Sequence, residues 1–417
     1  MATIQKNKPG LKTKISRDLD ALWQHHHGEW RSPEQITSQW RQAAEIDLSL
    51  LQFRTRGKWW EVLQGITLIV SREYEHMLLA LTAIDGRPHI SYLSMPHPSG
   101  IAYDAKQELV YIASTRNPNQ IYDLAVVDEC IERLDREQTF TEGRPLIPRR
   151  SRFYPGCLYM HDLAIIGGQL YANAVGQNAI VKLSSQAEYE RVWWPNCIES
   201  ENGPIFEQNH IQLNSIAAGG NIKESYFSAS CDQISNRRPG HKNFPVDKRG
   251  VIFSGKSKEV FARGLTRPHS ARLYKGAVWV DNSGYGELGY AENGQFQPII
   301  RLPGWTRGLC FNGSLAFVGT SRVIPKFSRY APGLDVNKSE CGIHAIDMKT
   351  GKLVGSLIWP LGNQIFAIEA IPQKITTGFP FVYKSRHSKG QKQNLFYSFS
   401  IRQPKKAALI TLRSKND

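Results

Sequence analysis

The sequence predicts an all-β chain, a six-bladed β-propeller carrying an N-terminal helical extension. Three observations predict it. Short β-rich runs separated by turn residues begin after Trp60 and continue to about residue 401. A two-strand unit recurs along that stretch. Helical spacing is scarce outside one N-terminal segment. A sandwich gives no such repeat. A propeller does, because a single blade cannot bury both of its faces and must stack on copies of itself. The repeat leaves five or seven blades open as alternatives.

The elements follow in order. Residues 1–58 form the extension, 59–401 the propeller and 402–417 a basic tail. The start is polar and irregular, with His25, His26 and His27 in a row that could hold a metal adventitiously or lie in solvated coil. Ser32-Pro33-Glu34-Gln35 reads as a helix start: serine at the cap, proline in the first turn and glutamine three residues after the serine. Ile36, Trp40, Ala44, Leu48 and Leu51 follow at near-helical spacing, which predicts one amphipathic helix packed on the main domain or on a partner. Ile66–Val70, Met77–Leu81 and His89–Leu93 then read as strands, the last two joined by the hairpin signal Asp85-Gly86. Val127–Glu137 is the best remaining helical pattern.

The repeating unit opens on a small or polar residue, runs into a short apolar strand, turns, and returns as a strand rich in Val, Tyr, Trp or Phe. Its inner strands open at Ser99, His161, Asn214, His269 and Arg307. A weaker sixth copy opens at Phe366 and takes Phe379–Tyr383 as its second strand, although Pro380 suits a strand start or an edge. Successive openings lie 62, 53, 55, 38 and 59 residues apart. Four-stranded blades need about 40–50 residues, so most copies carry a loop insertion. The strands between Ile66 and Leu93 lack an inner strand of their own, and are expected to complete the last blade and close the ring.

Composition narrows the function classes. With 41% hydrophobic and 21% charged residues the chain can build a large core, and wholesale disorder is excluded. The net charge is +15, of which +9 falls between Gln373 and the end, where ten Lys or Arg face the single acid Asp417. That tail suits an acidic peptide or protein partner, or simple solvation. No RNA-binding aromatic signature or zinc-finger spacing accompanies it, which argues against nucleic acid. The six cysteines form no C-x-x-C pair, so buried thiols in a reducing compartment are expected. No run approaches a membrane span, and the N-terminus has no apolar core. The expected setting is soluble and cytoplasmic, with self-association through the helix as an option.

The first strand of a propeller blade lines the central channel, so the residues that open it converge on one mouth. Ser99, His161, Asn214, His269 and Arg307 make an unusually polar set. His210, four residues before Asn214, could reach the same mouth from the loop entering its blade. Three imidazoles there, His161, His210 and His269, would form a divalent transition-metal site for zinc, iron or copper, with open positions for substrate. Asp162 is a candidate orienter or base, although strand alternation points it away from the channel. Arg267 and Arg272 flank His269, and with Arg307 could hold a carboxylate or phosphate. Ser99 and Asn214 complete the candidate substrate contacts. The bland alternatives are hydrogen-bonded channel plugs for the histidines and surface ion pairs for the arginines. Asn282-Ser283-Gly284-Tyr285-Gly286 reads as a tight loop near the mouth. Arg72-Glu73-Tyr74-Glu75-His76 joins two strands and is expected to be solvated, and the pairs Trp59-Trp60 and Trp193-Trp194 are expected to pack blades.

Several segments resemble an uncharacterised bacterial family of conserved hypothetical proteins: Ser71-Arg72-Glu73-Tyr74, Pro96–Ala102, Tyr159–Leu163, His210–Ile216, Arg267–Leu273 and Leu302–Leu309. The resemblance spans about residues 60–385 and implies no established activity. More distantly, the pattern is similar to propellers of the NHL, gluconolactonase and strictosidine-synthase type. It is also similar to the peptidyl-hydroxyglycine lyase, where histidines from different blades hold a catalytic zinc. His161 and His269 match that idea, with His210 as a third. The chain departs from that lyase in its blade insertions and in lacking the disulfides of a secreted enzyme, so only the site geometry carries over as analogy. The function expected is a metal-dependent enzyme acting on a small molecule or peptide at the channel mouth, as in peptide or natural-product modification. The alternative is a non-catalytic scaffold whose rim binds a protein or peptide.

Overall fold

The computed structural model describes residues 33–115, 119–130, 144–154, 157–234, 239–383 and 399–401. Ser32, the histidine triplet, the predicted helical residues 131–137 and the basic tail beyond residue 401 lie outside them.

The chain folds as a β-propeller of antiparallel blades. Each blade's inner strand is followed outward by three more. Blade one runs Pro98–Asp104, Leu109–Ser114, Gln120–Cys130 and Leu146–Phe153. Blade two runs from Met160–Ile166 to Tyr189–Trp193, and blade three from Leu213–Ala217 to Val260–Leu265. Blade four spans Pro268–Tyr274 to Gln295–Arg301, and blade five Trp305–Asn312 to Lys352–Ile358. The last blade takes its inner strand, Ala367–Pro372, from the C-terminal side and its next three, Ile66–Arg72, Met77–Ile84 and Arg87–Ser94, from the N-terminal side. Each of the six inner strands touches its predecessor and its successor, and the sixth returns to the first, so the ring is closed.

Local chemistry explains the hairpins. Asp85-Gly86, Gly167-Gly168, Lys275-Gly276 and Asn293-Gly294 are two-residue turns in which both residues have positive φ. That is the turn whose twist matches the strands it joins. Between blades the core is aromatic and aliphatic. Trp193 of blade two lies 4.2 Å from Phe227 of blade three and donates Nε1–H to the Gly255 carbonyl. Trp59 meets Phe317 edge-on at 6.2 Å. Burying such a side chain contributes about 1.5–3 kcal/mol. At the axis the inner strands approach so closely that a Cβ on Gly100 would lie 2.6 Å from the Asp162 Cα.

Three expectations are corrected. Val127 continues a strand, because it and its neighbours pair with Leu146–Phe153 and with Phe399–Ile401; available sheet partners override a helical spacing. The second strand of the sixth copy is Ile66–Arg72, while Phe381–Val382 pairs with Arg87–Ser94 at the outer edge, where Pro380 costs no ladder bond. The predicted N-terminal helix is split. The helix α1 covers Pro33–Ala44, and a separate 3₁₀ turn at Leu48–Leu51 starts where the Asp47 side chain accepts the Ser49 N–H. α1 packs on the propeller: Gln42 bonds His76 and Trp40 meets Tyr122. Arg54–Gly57, just before the expected boundary at residue 58, adds a fifth strand to blade five. Among the described residues no helix is long and apolar enough to cross a membrane.

Candidate functional site

Five of the six inner strands share one irregularity. In blades one to five the inner strand carries one residue more than its partner at or just after the opening residue, while the sixth pairs in continuous register. The pairing makes Ser99, His161, Asn214, His269, Arg307 and Phe366 equivalent, as the repeat predicts. Two residues earlier stand His97, Tyr159, Gln212 and Arg267, all with φ between 44° and 54°. A left-handed non-glycine residue is uncommon, and such strain clusters at functional sites. The equivalent residues of blades five and six are Trp305 and Gln364.

These two rings build a cavity of about 390 Å³ at one mouth of the channel. Its floor is His161, His269, Arg307 and Phe366; its walls include Tyr159, Gln212, Arg267, Trp305 and Gln364. Glu73 and Tyr74 come from the turn between the second and third strands of blade six. Gly240 and Tyr330 come from the insertions at the equivalent place in blades three and five. The two insertions meet over blade four, where the Tyr330 hydroxyl donates to the Gly240 carbonyl at 3.2 Å.

His269 is held in one tautomer. Its Nδ1 lies 2.9 Å from the Arg267 carbonyl and 2.9 Å from Ser283 Oγ, whose own hydrogen goes to the Thr306 carbonyl at 2.6 Å. A carbonyl only accepts, so Nδ1 carries the proton and Nε2 keeps its lone pair. Burial, with Arg307 nearby, holds the imidazole well below its ordinary pKa, so the ring is neutral. The loop at Asn282–Gly286 therefore orients a site residue through Ser283. His161 stands against Tyr159 and Phe366, with ring centroids 5.1 and 5.5 Å away.

The arginines differ. Arg307 sits over Phe366, its guanidinium carbon 3.2 Å from the ring centroid, and forms no ion pair or hydrogen bond through its guanidinium among the described residues. Burial brings it down to about 10, an effect that the Glu73 carboxylate opposes. Arg267 is buried against Tyr330 and already donates to Gln212, Ser230 and the Pro239 carbonyl. Burial lowers it to about 10 as well. Both remain cations at neutral pH.

The other expected site residues do not line the cavity. Asp162 accepts a two-pronged bond from Arg272 at 2.7 and 3.1 Å and one from the Ile216 N–H at 3.0 Å. It ties blade two to blades three and four. Ser215 and Ser270, at the equivalent position, accept the N–H groups of Ala271 and Gly308 in the same way. Ser99 Oγ lies 3.0 Å from the Met160 carbonyl, and Asn214 donates to the Pro268 carbonyl at 2.9 Å. Half of the polar inner-strand pattern is thus interblade stitching. His210 is buried beside the cavity's wall strand, its N–H donated to Asn178. Among the described residues no three His, Cys, Asp or Glu side chains stand together as a metal-holding group.

The sequence reading missed Glu73, Tyr159, Gln212, Trp305, Tyr330 and Phe366. A signal existed for three of them: Tyr159, Gln212 and Trp305 stand two residues before a repeat opening. The solvated reading of Arg72–His76 is corrected. Arg72, Glu73, Glu75 and His76 are buried, because Arg72 pairs with Glu75 and stacks on Trp359, and Thr115 donates to Glu73. Only Tyr74 is exposed.

Fold and cavity together define a β-propeller with a cationic, aromatic-walled pocket at the channel mouth. The chain belongs to a family described as a domain of unknown function (DUF4915), whose model matches residues 57–378. No curated protein matches it. Among solved structures it is similar to a chain of a nidogen/laminin complex (TM-score 0.48, 9% identity, covering 74% of this chain and 100% of that one). It is also similar to a catalytically inactive virginiamycin B lyase from Staphylococcus aureus with quinupristin (0.38, 13%, 71% and 78%). A gluconolactonase from Xanthomonas campestris gives 0.39, 10%, 64% and 77%.

Proposed function

We propose that this chain is an enzyme that binds a small anionic molecule at the propeller mouth and moves a proton through His269. The carrying observation is the fixed tautomer of a neutral His269 lining a cavity that holds Arg267 and Arg307, neither of which forms an ion pair with a carboxylate among the described residues. A neutral imidazole is a competent base, and Arg307 would hold the anion and steady charge that develops during reaction. His161, across the floor, is the candidate partner for returning the proton.

Carboxymethylation tests this directly. Iodoacetate and iodoacetamide react at the same kind of nucleophile, but only the first is an anion. At pH 5.5, where ordinary histidines are largely protonated, His269 should be alkylated faster by iodoacetate than by iodoacetamide, as mapped by peptide mass spectrometry. Equal rates, or an unmodified His269, would overturn the proposal.

A second reading has its own support. An imidazole that gives Nδ1–H to a backbone carbonyl presents Nε2 as a metal ligand. In this reading His161 and His269 hold a divalent zinc, iron or copper ion, with the substrate or solvent supplying further ligands. Elemental mass spectrometry of tag-free protein separates the two. Stoichiometric metal in the wild type, absent from a folded His161→Ala plus His269→Ala variant, selects the metal reading; protein that stays metal-free after incubation with each ion rejects it.

A further inference from the structure

The cavity's chemistry narrows its ligand, granted that it is a ligand site at all. Its two arginines, Arg267 buried and Arg307 half-buried, are not equivalent. Arg267 has given three of its four terminal N–H groups to Gln212, Ser230 and Pro239, so it supplies a field and few donors. Arg307 has spent none among the described residues. Its guanidinium carbon rests 3.2 Å from the Phe366 centroid, and its N–H groups remain for a ligand, as a fork that can pair bidentately. A planar fork matches a carboxylate in a two-pronged fit. A third cation at the rim, Arg322, already donates to the Pro360 carbonyl.

The rest of the wall is aromatic beside the polar Gln212 and Gln364, with the Glu73 carboxylate on the blade-six side. Tyr159, Trp305, Tyr330 and Phe366 present rings around the space above Arg307. A volume of about 390 Å³ lies at the low end of small-molecule sites, which run from about 300 to 1,000 Å³. One planar ring system with a short acidic arm fits that space. The roof formed by Gly240 and Tyr330 is bonded across, and it bounds the ligand on the blade-four side.

We infer that the pocket binds a small aromatic monocarboxylate, its carboxylate on the Arg307 fork and its ring among Tyr159, Trp305 and Tyr330. This places the atom next to the carboxylate near His269, which lines the same cavity as Arg307.

Matched probes on the full chain test the inference without any variant. Phenylacetate, indole-3-acetate and 3-phenyllactate are titrated by calorimetry, each beside its uncharged amide, with acetate and phenyl phosphate as further arms. At least one acid should bind saturably and at least about tenfold more tightly than its amide and than acetate, because the charge-assisted pair is lost in one case and the ring contacts in the other. Arg307→Met, which keeps the volume and removes the fork, should lose that margin while an unchanged melting temperature reports an intact fold. Amides binding as well as acids, phenyl phosphate outbinding all three acids, or no saturation by any acid would each overturn the inference. Carboxylate binding read by heat does not depend on proton transfer at His269. Failure of the alkylation test with binding intact therefore removes the enzyme reading alone.

Discussion

His344 illustrates how a single buried group sets part of the protein's pH response. It sits in the third strand of blade five, with Nε2 3.0 Å from Thr320 Oγ1 and Nδ1 2.9 Å from Ser356 Oγ. Burial lowers it from 6.5 to about 4. The unfolded chain therefore takes up a proton from pH 6.5 downward, while the folded one resists until about pH 4. Stability is full above 6.5 and falls as the pH drops through that window, by about 3 kcal/mol for this group. His344→Gln should flatten the acid limb of a urea-melt series between pH 7 and pH 4. Asp281, paired across the ladder from His269, works in the opposite sense. Burial raises its carboxyl well above 3.8, so the folded state keeps a proton that the unfolded chain releases as the pH rises. Asp281→Asn should accordingly be more stable than wild type at pH 8, with the gap closing toward pH 4; an equal gap at both pH values would show that the carboxyl is not held neutral. Neither group is readable from sequence, because burial in a third or second strand depends on which blades stack there.

The stitching between inner strands shows which part of the site could be read in advance and which could not. The repeat exposes the opening positions of five blades as members of that ring, Ser99, His161, Asn214, His269 and Arg307, whereas Phe366 opens a weaker copy that was not read as part of the site. The repeat does not say which side chains face the channel. Asp162 and Arg272 read as site residues, yet they form a buried pair that spans three blades, with side chains 6% and 17% exposed. The physical reason is the register skip, which in blades two, three and four turns the residue after the opening toward the neighbouring blade's N–H groups. Glu73 and Tyr330 were illegible for another reason: they arrive on loops whose place at the mouth is set by closure of the ring. Breaking the pair tests the element-scale role. Asp162→Ala leaves Arg272 charged and uncompensated, and should cost about 3–5 kcal/mol in a denaturant melt. Adding Arg272→Met should recover a large part of that loss, since the orphaned charge goes with it. A single variant as stable as wild type would show that the pair does not hold the blades together.

At the scale of the whole molecule, stability rests on joining the two ends of the described chain in one sheet. Ala367–Pro372 supplies the inner strand of a blade whose other strands lie some 300 residues earlier, and Ser71 at that seam accepts the Ala367 N–H while donating to the Ser99 carbonyl of blade one. That closure was legible, because the early strands between Ile66 and Leu93 lacked an inner strand of their own. Such a seam orders most of the chain before it forms a contact, so its loop-closure entropy is met last. A circular permutant separates topology from local stability. New ends placed in the exposed Gly313 turn of blade five, with the native ends joined through a flexible linker, keep every strand pair but move the late-closing seam into blade five. The permutant should reach nearly the native melting temperature and retain the alkylation pattern of His269, while truncation after Gly362 should abolish the cooperative transition. If the truncated chain still melted cooperatively near the wild-type temperature, the shared blade would not be what closes this propeller.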